Sequence, residues 1–274
     1  TNEKWFKVPH LDYLKLRAGY GVSGNQTSRY SSLARVNSSI GYVFGDGQPG
    51  AMRQELASMQ NSDLKWEKTA GFNFGLDFAV LNNRISGNIE FYTTKTKDLL
   101  YDVAIPSITG FTSIRSNVGE IKNKGFEMTI NSRNIVTKDF EWTSMFNLST
   151  NSNKITKLAG LDTDGDGKED DLTSSSLFIG ESLSSIYDYT IDGIYQVGDD
   201  IPEGYHPGNY RIVDINNDGE INEKDRSIIG KTDPSVRMGL LNSFKYKGLT
   251  LSFFLNAVLG GSKSYLGKNS YAEL

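Results

Sequence analysis

The chain has 274 residues and a formal net charge of −4, which gives no indication of nucleic-acid binding. It contains no cysteine, which excludes a disulfide framework and catalysis by a cysteine nucleophile. Hydrophobic residues make up 37% of the chain, and no apolar run approaches the roughly 18 residues that a membrane-spanning helix needs.

The dominant signal along the chain is an alternation of apolar and polar residues with a period of two. In FNFGLDFAV, for example, Phe72, Phe74 and Leu76 fall on one face, whereas Asn73 and Asp77 fall on the other. Successive residues of a strand point to opposite faces, so we predict an all-β chain with about seven long strands. The alternating segments are residues 14–22, 72–80, 85–91, 126–130, 140–148, 236–246 and 249–259.

The connections between these segments are alternately short and long. The short ones are residues 81–84, 134–139 and 246–248, and the long, polar ones are residues 24–64, 101–113 and 155–234. Transmembrane barrels show this asymmetry, with short periplasmic turns and long extracellular loops. We therefore predict a portion of a large antiparallel transmembrane β-barrel, because about seven strands are too few to close a pore-forming barrel.

The longest connection, residues 155–234, is predicted to be one extracellular loop, since the strands on either side of it run in opposite directions. It is longer than an unstructured loop normally is. We therefore expect it to contain short strands of its own, for example within residues 186–196.

Residues 214–225, DINNDGEINEKD, have the ligand spacing of a calcium-binding loop. The predicted ligands are the side chains of Asp214, Asn216, Asp218 and Asp225 at positions 1, 3, 5 and 12, and the backbone carbonyl of Glu220 at position 7. Calcium prefers such oxygen ligands, so we predict a structural calcium ion here. A solvated turn without metal is the alternative, because Asp, Asn and Gly favour turns in any case.

Two related motifs are weaker. An EF-hand is excluded because the segments flanking the loop are short, β-branched and closed by Gly230 and Pro234, so neither can form the required helix. A second acidic stretch, LDTDGDGKEDDL, spaces Asp162, Asp164 and Asp166 suitably, but Thr173 stands where the bidentate acid is expected. For this second loop both interpretations, metal site and solvated turn, stay open.

The sequence contains no catalytic constellation, and we predict that the chain is not an enzyme. Its two histidines, His10 and His206, are far apart, which argues against a histidine-rich zinc site. The G-x-G-x-x-G match at residues 45–50 contains Pro49 and precedes no helix, so it predicts a turn rather than a phosphate site.

Four aromatic residues near predicted strand ends, Trp66, Tyr92, Tyr101 and Trp142, are candidates for interfacial aromatic girdles. Ordinary strand aromatics would have the same pattern.

Six stretches carry a resemblance to a known family. They are residues 14–26, 63–100, 109–130, 140–158, 192–196 and 207–230. In this order they resemble the carboxy-terminal part of the barrel in SusC/RagA receptors, a group of TonB-linked outer-membrane proteins. The resemblance implies a barrel in the cell outer membrane that works with a SusD-like surface lipoprotein and the TonB complex. It implies import of oligosaccharides or peptides and places the calcium-type loop on the outer face.

Residues 1–274 show neither the plug nor the TonB box of the family pattern, and they stop at KNSYAEL before a final aromatic strand. We therefore expect a carboxy-terminal segment of a longer receptor. A soluble, calcium-dependent β-sandwich that acts as an adhesin or glycan-binding module is the alternative. The two differ in whether the apolar strand faces meet in a core or contact lipid.

Overall fold

The computed structural model describes residues 8–26, 28, 30–42 and 51–261. The turn predicted at residues 45–50 and the carboxy-terminal KNSYAEL stretch lie outside these residues. Within them, no helix has the length and apolar character needed to span a bilayer.

The described residues form fifteen strands. The strands are β1 (Leu11–Asn25), β2 (Arg35–Tyr42), β3 (Ala51–Ser58), β4 (Glu67–Val80), β5 (Ile85–Lys97), β6 (Leu100–Ala104), β7 (Ser113–Asn117), β8 (Glu120–Val136), β9 (Phe140–Lys157), β10 (Ser185–Tyr189), β11 (Ile191–Ile194), β12 (Tyr210–Ile212), β13 (Arg226–Lys231), β14 (Val236–Tyr246) and β15 (Leu249–Leu259).

Seven long strands form one antiparallel sheet in the order β1-β4-β5-β8-β9-β14-β15. Each of the seven alternating segments predicted from the sequence lies within one of these strands, which confirms the predicted all-β architecture. In the described part of the chain, β1 and β15 each pair on one side only. A sheet that is part of a larger closed barrel is expected to have two edge strands that pair on one side only.

The three short connections lie together at one end of the sheet, which we call the turn end. Between β4 and β5, Leu81, Asn82 and Asn83 have φ values of 58°, 57° and 57°. Asparagine tolerates this left-handed backbone better than most residues, and two of the three positions carry it. Between β14 and β15, the amide of Lys247 donates to the carbonyl of Asp139 at 2.8 Å, which joins two neighbouring turns.

The long connections lie at the opposite end, the loop end, and contain strands of their own. A hairpin of β6 and β7 occupies most of the connection predicted as a loop at residues 101–113, and β8 begins at Glu120 rather than near residue 126. In the connection between β9 and β14, β10 pairs with β13 and β11 with β12. Short strands therefore occur at residues 186–196, as predicted.

The sheet has two chemically different faces. The apolar face carries Leu16, Phe74, Leu76, Phe91, Met128, Leu148, Leu240 and Leu255, and the polar face carries Arg17, Asp77, Glu90, Thr129, Asn147 and Arg237. On β15, Leu249, Leu251 and Leu255 are 77%, 65% and 57% exposed. Such a continuous row of exposed apolar side chains needs lipid or protein to cover it.

The best-formed hydrophobic core lies at the loop end rather than within the sheet. Ile121 and Ile155 pair across β8 and β9 on the polar face, and both are buried together with Phe178. The amide of Ile155 donates to the carbonyl of Glu181, and the amide of Gly180 donates to the carbonyl of Ile155, each at 2.8 Å. These contacts fix the connection that follows β9 onto the sheet.

Candidate functional site

Three charged side chains form a network on the polar face. The Arg17 guanidinium donates through Nε and Nη2 to the two carboxylate oxygens of Asp77, at 2.9 and 2.8 Å, and through Nη2 to Glu90 at 2.5 Å. Asn73 donates to the other Glu90 oxygen at 3.3 Å. The position between them is Gly75, where a Cβ would lie 2.9 Å from Arg17 Nη2. Because Gly75 has no side chain, the Arg17 guanidinium can lie against the backbone at this position.

Replacing Arg17 with methionine should lower the thermal unfolding midpoint of the intact receptor by about one to two degrees. Asp77 and Glu90 would lose the cation that lies between them and would repel each other. Adding Glu90→Gln should restore most of the loss, because one of the two negative charges is then removed. An unchanged midpoint for the methionine variant in detergent would contradict a stabilising role for this network.

The two tyrosines predicted as girdle residues lie elsewhere. Tyr92 lies on the polar face, where its ring covers Gly125 and its hydroxyl donates to Asn151 Oδ1 at 3.3 Å. Tyr101 lies in the β6–β7 hairpin, where its hydroxyl donates to Ser175 at 2.8 Å. The prediction is therefore wrong for both residues. The periodicity assigns Tyr92 correctly, because it stands two residues from Glu90 on the same strand face.

The two tryptophans fit the girdle better. Trp142 lies on the apolar face near the turn end, stacked on Phe244 with ring centroids 5.5 Å apart. Its indole Nε1 donates to Asn242 Oδ1 at 3.0 Å, which satisfies its polar atom. Trp66 precedes β4 near the loop end and is 53% exposed. An apolar ring with a satisfied polar edge suits a membrane interface.

The predicted calcium ligands lie in the turn between β12 and β13. Asp214 Oδ2 accepts a hydrogen bond from the amide of Gly219 at 2.8 Å, and Gly219 has a φ of 84°. Asn216 accepts from the amide of Asp218, and Asp218 from the amide of Glu220, both at 2.9 Å. Asp214 Oδ1 is buried and accepts no hydrogen bond. A cation would satisfy this oxygen, whose burial otherwise costs free energy.

Asp225 closes the same turn and is fully buried. Its two oxygens accept from the amides of Asn222, at 2.8 Å, and Ile215, at 3.0 Å. These backbone hydrogen bonds, that of Asn222 first, hold the pKa of Asp225 below its usual range. Because the folded pKa is depressed, the stability that Asp225 contributes is present above the usual aspartate pKa. It is lost as the pH falls through the depressed value.

The second acidic loop brings its carboxylates closer together. One oxygen from each of Asp162, Asp164 and Asp166 lies within 4.8 Å of the others. Among the described residues, this is the one group of three potential metal ligands that lie so close together. The carboxylate oxygens of Asp214, Asp218 and Asp225 in the 214 loop do not form a group within this distance. All three side chains of the second loop are exposed, and Lys168 lies 3.4 Å from Asp166. This geometry alone assigns no ion to the second loop, since exposed acids often cluster in turns.

Comparisons with known proteins agree with the architecture. Residues 8–256 match a family model described as TonB dependent receptor-like, beta-barrel. TonB-dependent receptor P3 of Formosa agariphila is 38% identical over 263 residues, which cover 90% of this chain and 26% of the relative. TonB-dependent receptor SusC of Bacteroides thetaiotaomicron is 38% identical over 269 residues, which cover 93% of this chain and 26% of the relative. The chain thus spans about a quarter of the length of these relatives.

Solved structures give the same result. The RagAB peptide transporter matches with a TM-score of 0.72 and 26% identity over 94% of this chain and 28% of that chain. The RagAB peptide importer in the "open-open" state matches with a TM-score of 0.73 and 26% identity over 95% of this chain and 27% of that chain. The solved structures are described as a peptide transporter and a peptide importer. Membership of a receptor and transporter family agrees with the prediction that the chain is not an enzyme. The chain therefore belongs to the TonB-dependent receptor β-barrel family and forms part of a barrel in the outer membrane.

Proposed function

We propose that residues 1–274 are the carboxy-terminal segment of an importer that takes up oligosaccharides or peptides with a SusD-like surface lipoprotein and the TonB complex. The observation that carries the proposal is the seven-stranded sheet, which the RagAB peptide transporter matches over 94% of this chain. The similarity to SusC supports a lipoprotein partner of the SusD type. Membership of a β-barrel family argues against the soluble β-sandwich alternative.

In the proposed orientation the apolar face contacts lipid and the polar face lines the lumen. The turn end then faces the periplasm, and the connection at residues 155–234 lies outside the cell. Two grooves on the polar face, of about 400 and 300 Å³, share Glu127, Ser149 and Arg237 in their lining. Their amide, hydroxyl and charged groups supply the hydrogen bonds that a polar cargo loses when it leaves water.

The proposal is tested with the intact receptor and the surface lipoprotein expressed together. We expect the two proteins to copurify in detergent, and cells to take up labelled oligosaccharide or peptide only when TonB is present. Uptake that continues at the same rate without TonB would contradict the proposal. So would a receptor that purifies alone and a cell that takes up neither class of cargo.

We also propose a structural calcium ion in the 214 loop, held by Asp214, Asn216, Asp218 and Asp225 and by the carbonyl of Glu220. Two observations support it: the unpaired, buried Oδ1 of Asp214 and the complete burial of the Asp225 carboxylate. Each Asp225 oxygen accepts one backbone hydrogen bond and retains a lone pair that a cation can use. The ion would fix the turn that leads into β13.

Calcium titration of the intact receptor should include a site with a dissociation constant of about 10⁻⁴ to 10⁻³ M, the range of extracellular modules. Asp218→Ala should weaken this binding at least tenfold, because it removes a charged ligand, and should leave the barrel folded. The matched control is Asp166→Ala in the second acidic loop, which should not change the affinity of the 214 site. Equal binding by the wild type and the Asp218 variant would contradict the assignment.

A further inference from the structure

An apolar cavity of about 260 Å³ lies at the loop end, between the sheet and the connection that follows β9. Ile121 and Ile155 line it on the side of the sheet, and the rest of its lining is mainly aliphatic, with Tyr101, Gly119 and Lys157 as the exceptions. The leucines that line it are Leu99, Leu100, Leu158, Leu172, Leu177 and Leu183. Because Ile121 and Ile155 lie on the polar face, the cavity is on the side of the sheet that a barrel turns inward.

The cavity opens beside the polar face. Two of the residues that line it, Lys157 and Leu183, are exposed, and Leu183 is 48% exposed, so the cavity reaches the protein surface. The amide of Leu183 donates to Asn153 Oδ1 at 2.8 Å. Asn153 belongs to the same strand face as Asn147 and Asn151. A row of side-chain amides therefore leads along β9 to the opening of an apolar cavity.

The size and chemistry of the cavity restrict what can occupy it. Pockets that enclose whole small molecules have volumes of about 300–1,000 Å³, whereas an aliphatic cavity of about 150 Å³ already accepts benzene. A cavity of about 260 Å³ therefore suits one apolar side chain. A sugar residue would leave its hydroxyl groups without partners against the leucines, and unpaired buried hydroxyls cost free energy.

We propose that this cavity receives one apolar side chain of a peptide cargo whose backbone contacts the asparagine row of β9. This inference rests on the proposed import function and narrows its cargo from oligosaccharides or peptides to peptides. A peptide combines an apolar side chain with a polar backbone. The Asn153 amide is already bonded to Ser182, Leu183 and Asp233. Asn147 and Asn151 accept from Thr129 and Tyr92 through Oδ1, and their Nδ2 groups can donate to a peptide carbonyl.

The test uses the intact receptor with its lipoprotein partner and two labelled peptides. One is a short Gly-Ser-Asn peptide, and the other is the same peptide with a central leucine. We expect the leucine peptide to bind at least about tenfold more tightly, because one leucine side chain leaves water. Ala159→Phe fills the cavity and should abolish this difference. Ile108→Phe is the control, since Ile108 is 95% exposed in the neighbouring hairpin and adds the same ring without filling the cavity.

Each outcome decides the inference. If wild type binds both peptides equally, or if Ala159→Phe preserves the preference, the cavity is not a cargo site. If the phenylalanine variant fails to assemble, Ala159→Leu supplies a smaller filling residue and the same comparison. TonB-dependent uptake of a defined glycan without any peptide uptake would overturn the peptide assignment but leave the import function intact. Failure to take up either class would instead contradict the import function.

Discussion

Replacing Leu255 with arginine is expected to lower the free energy of unfolding of the barrel by about 2–4 kcal/mol. Leu255 stands in the middle of β15 on the apolar face, opposite Leu240, and is 57% exposed. In the proposed orientation its side chain contacts the hydrocarbon of the bilayer, where a guanidinium has no hydrogen-bonding partners. Guanidinium-induced unfolding of the intact receptor in lipid vesicles measures the change.

The neighbouring residue provides a matched control. Asn256 lies on the polar face and lines a groove of about 400 Å³, so an arginine at this position has both space and polar neighbours. We expect Asn256→Arg to cost far less than Leu255→Arg. The two residues are neighbours on one strand and lie at nearly the same depth in the membrane. Similar losses of unfolding free energy for the two substitutions would therefore show that the assignment of the apolar face to lipid is wrong.

The sheet could be predicted from the sequence because its information is local. A half-buried strand alternates every two residues, so a stretch such as residues 72–80 identifies its own faces without knowledge of its neighbours. The alternation of short and long connections then fixes which strands are hairpin partners. The Leu81, Asn82 and Asn83 turn and the Lys247 turn have the left-handed residues that close such hairpins.

The contacts across strands could not be predicted in this way. Arg17 contacts Asp77 and Glu90, which are 60 and 73 residues away in sequence, because of the register in which β1 pairs with β4 and β4 with β5. Single residues give no sign of that register, although a charged residue at a polar-face position on each strand was a usable signal. The position of the Tyr92 ring over Gly125 depends in the same way on the register between β5 and β8. Its assignment to a girdle followed from its distance to the strand end rather than from its face.

The 214 loop shows how much of a metal-binding turn can be predicted from the spacing of its acidic and amide residues, and how much cannot. The positions of Asp214, Asn216 and Asp218 predict a tight turn with converging oxygens, and the structure has that turn. Spacing could not predict that Asp225 accepts two backbone amides and so caps the loop in addition to any role as a ligand. Nor could it predict that the second loop, which lacks the twelfth-position acid, gathers its carboxylates more closely.

Replacing Ile155 with alanine should destabilise the docking of the connection after β9 by about 2–5 kcal/mol, the cost of truncating a fully buried isoleucine. Ile155 is 1% exposed and is the largest fully buried apolar side chain in the described residues. Its backbone also carries both hydrogen bonds to Gly180 and Glu181, so side chain and main chain stabilise the same contact. Hydrogen exchange of the amides at residues 172–185 in the intact receptor reports this docking.

Ile108→Ala is the control, because Ile108 is 95% exposed and the same truncation there removes no buried contact. We expect faster exchange in the Ile155 variant, confined to the docked connection, and no change in the Ile108 variant. The strands of the sheet should retain their protection in both, since their hydrogen bonds and their apolar face do not depend on the loop-end core. Loss of protection throughout the sheet would instead show that Ile155 stabilises the barrel wall itself, and equal exchange in the two variants would show that the core does not anchor the loop.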